Sequence, residues 1–115
     1  MKNLLEGKIV LITGASRGIG KAIAKAMAAE GASIAFTHTS MNGALETEKE
    51  LAEMGVKVKR YQSDASNYDE AVKVVNDVVA TWGRVDVLVN NAGITRDSLL
   101  MRMSPESWDE VISKN

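Results

Sequence analysis

The sequence predicts an α/β domain built on a doubly wound parallel sheet. Short apolar runs of strand length recur four times, each followed by a stretch suited to a helix or a connecting loop. The first run opens into a glycine-rich turn, T-G-A-S-R-G-I-G from Thr13 to Gly20, that leads straight into a helix. The length of 115 residues, with 45% hydrophobic and 25% charged content, is that of a single globular domain over residues 1–115, without repeats or low-complexity tracts.

The first strand is Ile9-Val10-Leu11-Ile12, stopped by Thr13. Gly14 allows a backbone turn that a Cβ would obstruct, Gly18 lets a ligand approach the main chain, and Gly20 brings the next helix onto the sheet. The free N–H groups at that helix start face an anion. Alone, such a glycine pattern serves a tight turn as readily as a dinucleotide; the strand before it and the helix after it favour the dinucleotide. In that helix Ile19, Ile23 and Met27 recur every fourth residue among alanines small enough to sit close to a sheet. Gly31 ends it, and Ser33 to Thr37 forms the second strand of a βαβ unit. A Walker phosphate loop does not fit, because Gly20-Lys21 lies one residue too far from Gly14 and is followed by Ala22, not Ser or Thr.

Thr39 to Gly43 reads as a polar turn, and Ala44, Leu45, Leu51 and Ala52 as the apolar stripe of a second helix closed by Gly55. Val56 to Tyr61 alternates like a strand with one wet side, its lysines guarding a sheet margin. Ser66 stands as the N-cap of a third helix, with Asp69 three residues on, and Tyr68, Ala71, Val72, Val75, Val79 and Trp82 trace its core face before Gly83. Val85 to Val89 is a fourth, buried parallel strand that ends at Asn90-Asn91-Ala92-Gly93. Ile94 to Met103 reads as an irregular loop, after which Ser104-Pro105 starts a last helix with Trp108, Val111 and Ile112 on its inward face. Asn115, seven residues beyond Trp108, falls on that same face, where a polar side chain needs partners.

No apolar run approaches a spanning helix, and Met1 to Gly7 lacks the layout of a signal peptide, so the expected location is the cytoplasm, with no membrane partner. The chain has no cysteine and one histidine, which excludes a disulfide framework, a thiolate nucleophile and a clustered zinc site; no metal is expected. A net charge of -1 with charges mixed along the chain argues against a nucleic-acid partner.

Three motifs in order, T-G-A-S-R-G-I-G, then Ser63-Asp64-Ala65-Ser66, then N-N-A-G at Asn90 to Gly93, resemble the short-chain dehydrogenases and reductases over nearly the whole chain. Ile94-Thr95-Arg96-Asp97 and Leu99-Leu100-Met101-Arg102-Met103 are most similar to the 3-oxoacyl-[acyl-carrier-protein] reductases of fatty-acid synthesis. The resemblance implies a Rossmann-like sheet of strand order 3-2-1-4 in this stretch, a cofactor lying where that order reverses, an acyl-carrier-protein thioester as substrate and a homo-oligomer, tetrameric in full-length members. It gives the pyrophosphate to backbone donors at Gly14, Gly18, Ile19 and Gly20, in a cofactor-binding turn that also carries Ser16 and Arg17. Asp64 would accept from the adenine amino group beside the Ala65 backbone, and Asn91, Ala92 and Gly93 would run along the ribose. Asn90 would tie its strand to a neighbour. Asn115 matches the catalytic asparagine that holds a proton-relay water near the active-site lysine.

An NAD-preferring site carries an acidic residue about 20 positions after the glycines. Here that position is His38, and with Arg17, Thr39 and Ser40 it offers donors to a 2′-phosphate, so NADP(H) is the expected cofactor. The tyrosine that donates the proton in this family has a lysine four residues on, whereas Ala65 and Val72 stand four after Tyr61 and Tyr68. The chain thus resembles the amino-terminal, cofactor-binding part of such an enzyme and is expected to be inactive alone; the alternatives are a non-catalytic dinucleotide-binding module and another carbonyl reductase of the family. The far side of the fourth strand is expected to present unpaired backbone groups that invite association.

Overall fold

The computed structural model describes residues 4–15, 18–64 and 67–91, and residues 100–102 as backbone. The elements run β1 (Ile9–Ile12), α1 (Gly18–Ala29), β2 (Ser33–His38), α2 (Ala44–Glu53), β3 (Val58–Gln62), α3 (Tyr68–Trp82), β4 (Val87–Val89) and β5 (Leu100–Arg102). The sheet order is β3-β2-β1-β4-β5, so β3 is a margin and β1 lies between β2 and β4. The first four strands are parallel, with Val10 opposite both Ile34 and Val87. The Ser66 cap and the helix assigned to Trp108, Val111 and Ile112 lie outside the described residues.

Because β1 is buried on both sides, its side chains feed two cores by strict alternation. Val10 and Ile12 join Ile34, Phe36, Val89, Ala24, Ala28 and Leu51 beneath α1 and α2. Ile9 and Leu11 join Ala35, Leu88, Val74, Val75 and Val78 beneath α3. Helices on both faces of a parallel sheet make the doubly wound arrangement, and among the described residues no helix is long and apolar enough to cross a membrane.

Packing reassigns several apolar positions. In α1 the inward face is Gly20, Ala24 and Ala28, while Ile23 and Met27 flank it and Ile19 is 72% exposed. Close approach to the sheet selects the smallest side chains, and the larger isoleucine is turned out. In α2 Ala44, Thr47 and Leu51 face in, and Leu45 and Ala52 are exposed. In α3 Val74, Val75 and Val78 are buried in the core and Val79 and Trp82 pack against it, with Tyr68 left 52% exposed. That helix is capped not by Ser66 but by Asn67, whose side-chain oxygen accepts from the Glu70 N–H at 3.1 Å. An amide oxygen at the position directly before the first helical residue reaches the third N–H.

Two strand edges also differ. β4 begins at Val87 because the Asp86 carboxylate is engaged, accepting from Ile9 N–H at 2.7 Å and from Arg84 at 2.8 Å. Part of the expected loop is strand β5, which pairs antiparallel with β4, Leu100 opposite Val89 and Arg102 opposite Val87. The open edge of β4 is therefore covered from within the chain along this register. A returning segment without a crossover helix can satisfy those backbone groups only in the antiparallel sense.

At the β3 margin Tyr61 donates its hydroxyl to Asp77 Oδ2 at 2.5 Å, and Lys59 Nζ lies 3.0 Å from the same oxygen, tying the strand to α3. The Tyr61 hydrogen bond, then Lys59, holds the Asp77 carboxyl below its ordinary 3.8, so its contribution is present above that value and is lost as pH falls through the folded pKa. Burial, then the Asp77 contact, raises the Tyr61 phenol above its ordinary 10.0, so its contribution is present below 10.0 and is lost as pH rises through the folded pKa. The stability gap between wild type and Tyr61→Phe, read from urea midpoints, should be flat between about pH 5 and 9 and shrink on both sides. A gap independent of pH would show the two groups to be unlinked.

Candidate functional site

The carboxyl ends of β1, β2 and β4 meet at the glycine turn, where the strand order reverses across β1. Thr13 follows β1 and leans on β4: its N–H donates to Val89 O at 3.0 Å, and its hydroxyl lies 3.2 Å from Asn90 Oδ1. On the other side the Gly14 N–H reaches Thr37 O at 3.1 Å and Thr37 Oγ1 at 3.0 Å, and the Ala15 N–H reaches Thr37 O at 3.1 Å. Asn91 Nδ2 donates to Gly14 O at 2.9 Å. The turn is thus fastened to both neighbouring strands before the chain enters α1.

Gly14 and Gly18 have φ of 72° and 66°, the left-handed region where a Cβ is strained. A Cβ on Gly18 would meet nothing within 4 Å, so the backbone there opens onto free space. A Cβ on Gly20 would lie 2.3 Å from Gly14 O and 2.6 Å from Asn91 Nδ2, so this glycine is required for packing the helix against the turn. The first turn of α1 carries no acidic residue, so its positive end is not offset from within that turn. Lys21, the lysine a Walker loop would aim at a phosphate, is held instead by α2: its Nζ lies 3.1 Å from Glu50, and Lys25 lies 2.9 Å from the same carboxylate. Hydrogen bonds from Lys25 and then Lys21 keep the Glu50 pKa below its ordinary value.

A second group lies at the ends of β2 and β3. His38 is 1% exposed, packed beside Phe36 with ring centroids 6.0 Å apart, and burial lowers its pKa. Its ring is buried in the interior, which does not suit the place among exposed phosphate donors expected for it, whereas Thr39 and Ser40, next in sequence, are exposed. Asp64 is exposed at the end of β3, its N–H donating to Glu70 Oε1 at 2.8 Å, and Ser63 Oγ reaches the same carboxylate at 3.1 Å. Gly14, Gly18, Ile19, Gly20, Thr39, Ser40, Asp64 and Asn91 therefore lie along the carboxyl ends of the strands, while Ser16, Arg17, Ala65, Ala92, Gly93 and Asn115 are outside the described residues.

Asn91, expected along the ribose, also holds the Gly14 carbonyl. Two contributors were not anticipated: Thr37 braces the turn from β2, and Glu70 organises the Asp64 backbone. The spacing of Asn67 and Glu70, cap and third helical position, was a readable sign of the last.

A family model described as short chain dehydrogenase matches residues 8–115. The chain is 48% identical over 110 residues to 3-oxoacyl-[acyl-carrier-protein] reductase FabG of Escherichia coli K12, covering 96% of this chain and 44% of that protein. It is 46% identical over 111 residues to the protein of the same name from Vibrio harveyi, again covering 96% of this chain and 44% of that protein. The chain thus spans under half the length of these relatives. Among solved structures, a short chain dehydrogenase from Burkholderia cenocepacia J2315 in complex with NADP superposes with a TM-score of 0.76 at 40% identity, covering 82% of this chain and 39% of that one. An NAD+-bound xylitol dehydrogenase superposes with a TM-score of 0.75 at 34% identity, covering 79% of this chain and 35% of that one.

Proposed function

We propose that this chain, which belongs to the short chain dehydrogenase family, is the dinucleotide-binding part of an NADP(H)-dependent reductase that acts on 3-oxoacyl thioesters of acyl-carrier protein in the cytoplasm, as a homo-oligomer. The observation that carries the reading is the glycine turn fastened between β2 and β4 at the reversal of strand order, with open space above Gly18. The named function of relatives 46% and 48% identical over 96% of the chain supports the substrate class.

The residues present fit a dinucleotide. Backbone N–H groups at Gly18, Ile19 and Gly20 would hold the pyrophosphate at the positive end of α1. Asp64 would accept from the adenine amino group, and Arg17, Thr39 and Ser40 would surround the 2′-phosphate. When bound, the nicotinamide supplies hydride to the substrate carbonyl, and Asn115 would hold a water in the proton path.

Oxidation of NADPH by a 3-oxoacyl thioester, followed by absorbance, tests the activity: it should be absent from these 115 residues alone and present when they are joined to a segment carrying the Tyr and Lys pair, and turnover by the 115 residues alone would refute the reading. Arg17→Glu tests the cofactor: it should weaken NADP+ by about tenfold or more, the worth of a charge-assisted contact, and weaken NAD+ much less. Equal weakening of the two would refute the assignment of Arg17 to the 2′-phosphate.

A further inference from the structure

The turn between β2 and α2 is held from beneath by a relay that crosses to the margin strand. Ser40 O is an acceptor only, so the His38 Nδ1 at 3.1 Å must carry the ring proton and donate it. Arg60 is a donor only, so its Nη1, 3.4 Å from His38 Nε2, meets the ring's lone pair. The imidazole is therefore neutral with its proton on Nδ1. Arg60 is itself fixed, its Nε donating to Glu48 of α2 at 2.9 Å and its Nη1 lying 3.7 Å from Met41 Sδ in the turn. Gln62 Nε2 reaches Thr39 O at 3.3 Å, and Ser40 Oγ accepts from Asn42 N–H at 3.0 Å. The Thr39 and Ser40 carbonyls are thus held by Gln62 of β3 and His38 of β2, and both residues are exposed.

We propose that His38 and Arg60 are positioning residues for the adenosine 2′-phosphate: His38 fixes the Ser40 carbonyl, Arg60 locks the histidine tautomer and Met41, and together they set the turn that carries Thr39 and Ser40. The inference rests on the NADP(H) reading above. Their role is indirect, since His38 is buried and the Arg60 Nε is engaged by Glu48. Their effect falls on the phosphate end alone, because the pyrophosphate turn is fastened separately through Thr37 and Asn91.

The chemistry of the relay also sets its response to acid. A proton on Nε2 replaces the lone pair facing Arg60 by a second cation, with the Glu48 carboxylate beside the pair. The lowered pKa of His38 places this below 6.5.

The test compares NADP+ and NAD+ binding by calorimetry in the whole protein and three variants, each first checked for folding by circular dichroism. His38→Leu removes both hydrogen bonds and should weaken NADP+ by about tenfold while leaving NAD+ within about twofold. Arg60→Leu should act in the same direction. His38→Gln supplies an amide donor for Ser40 O and an amide oxygen for Arg60, so it should restore NADP+ affinity and remove the extra loss that wild type shows relative to it below pH 6.5. Loss of both dinucleotides in parallel in His38→Leu and Arg60→Leu would overturn the inference, as would full NADP+ preference in both. A wild-type protein without preference for NADP+ overturns the cofactor reading as well, whereas preference retained in the variants overturns only the role of His38 and Arg60.

Discussion

Replacing Gly20 by alanine should abolish dinucleotide binding and unfold a substantial fraction of the protein. The added Cβ would stand 2.3 Å from Gly14 O, 2.6 Å from Asn91 Nδ2 and 2.9 Å from Ala15 Cα, all under the 3.0 Å that real Cβ atoms essentially never show. Two of the three neighbours are backbone, and the third is already committed to Gly14 O at 2.9 Å, so no flexible end can swing aside. Relief requires α1 to back away from the sheet, and that motion pulls on the turn that Thr37 and Asn91 hold. Overpacking of this kind costs about 1 to 3 kcal/mol where a core can adjust and more where it cannot. Gly18→Ala is the matched comparison: its Cβ meets nothing within 4 Å, so it carries only the strain of a left-handed φ of 66°, about 1 to 2 kcal/mol, together with obstruction of the ligand. Urea midpoints and dinucleotide titrations on the two variants should separate them, Gly20→Ala losing stability and affinity, Gly18→Ala chiefly affinity. Wild-type affinity in Gly20→Ala would mean that the turn does not depend on this packing.

Much of this was legible in the sequence, and the boundary of legibility is physical. Strands β1 to β4 and three helices were readable because they depend on local periodicity and on glycine punctuation, and the strand order followed from the family resemblance together with the lysines on β3. Which face of a helix turns inward was less so. In α1 the spacing of Ile19, Ile23 and Met27 suggested one face, yet the residues buried against the sheet are Gly20, Ala24 and Ala28, with Ile23 and Met27 packed at the flank and Ile19 exposed. Hydrophobicity counts favour the larger residue where clearance decides for the smaller. β5 escaped because its three residues have no periodicity of their own and pair only against an edge made elsewhere. In the site, glycines could be assigned from their unique conformational freedom, but Asn91 and His38 could not. Both are polar residues at strand ends, and only the three-dimensional neighbours reveal that one braces Gly14 and the other is buried beneath the turn after β2.

The same distinction between periodicity and clearance predicts the other large effect, at Phe36. Its side chain is 0% exposed and is the first of the largest fully buried groups, opposite Ile12 on β1 and Arg60 on β3. It fills the space beneath α1 and α2 together with Leu51 and Ile34, and its ring is the apolar neighbour of His38. Phe36→Ala should therefore cost about 3 to 5 kcal/mol, transfer and cavity terms together, against a domain stability of about 5 to 15 kcal/mol. Leu45→Ala supplies the contrast: its periodicity placed it on the apolar stripe of α2, but it is 55% exposed and should change stability by no more than about 0.5 kcal/mol. Urea unfolding of both variants at one pH should move the midpoint strongly for Phe36→Ala, with little change in slope, and barely for Leu45→Ala. Because the cavity opens next to His38, the Phe36 variant should also lose NADP+ affinity beyond NAD+ affinity under conditions where it remains folded. Similar midpoints for the two variants would contradict the assignment of the core to the face beneath α1 and α2.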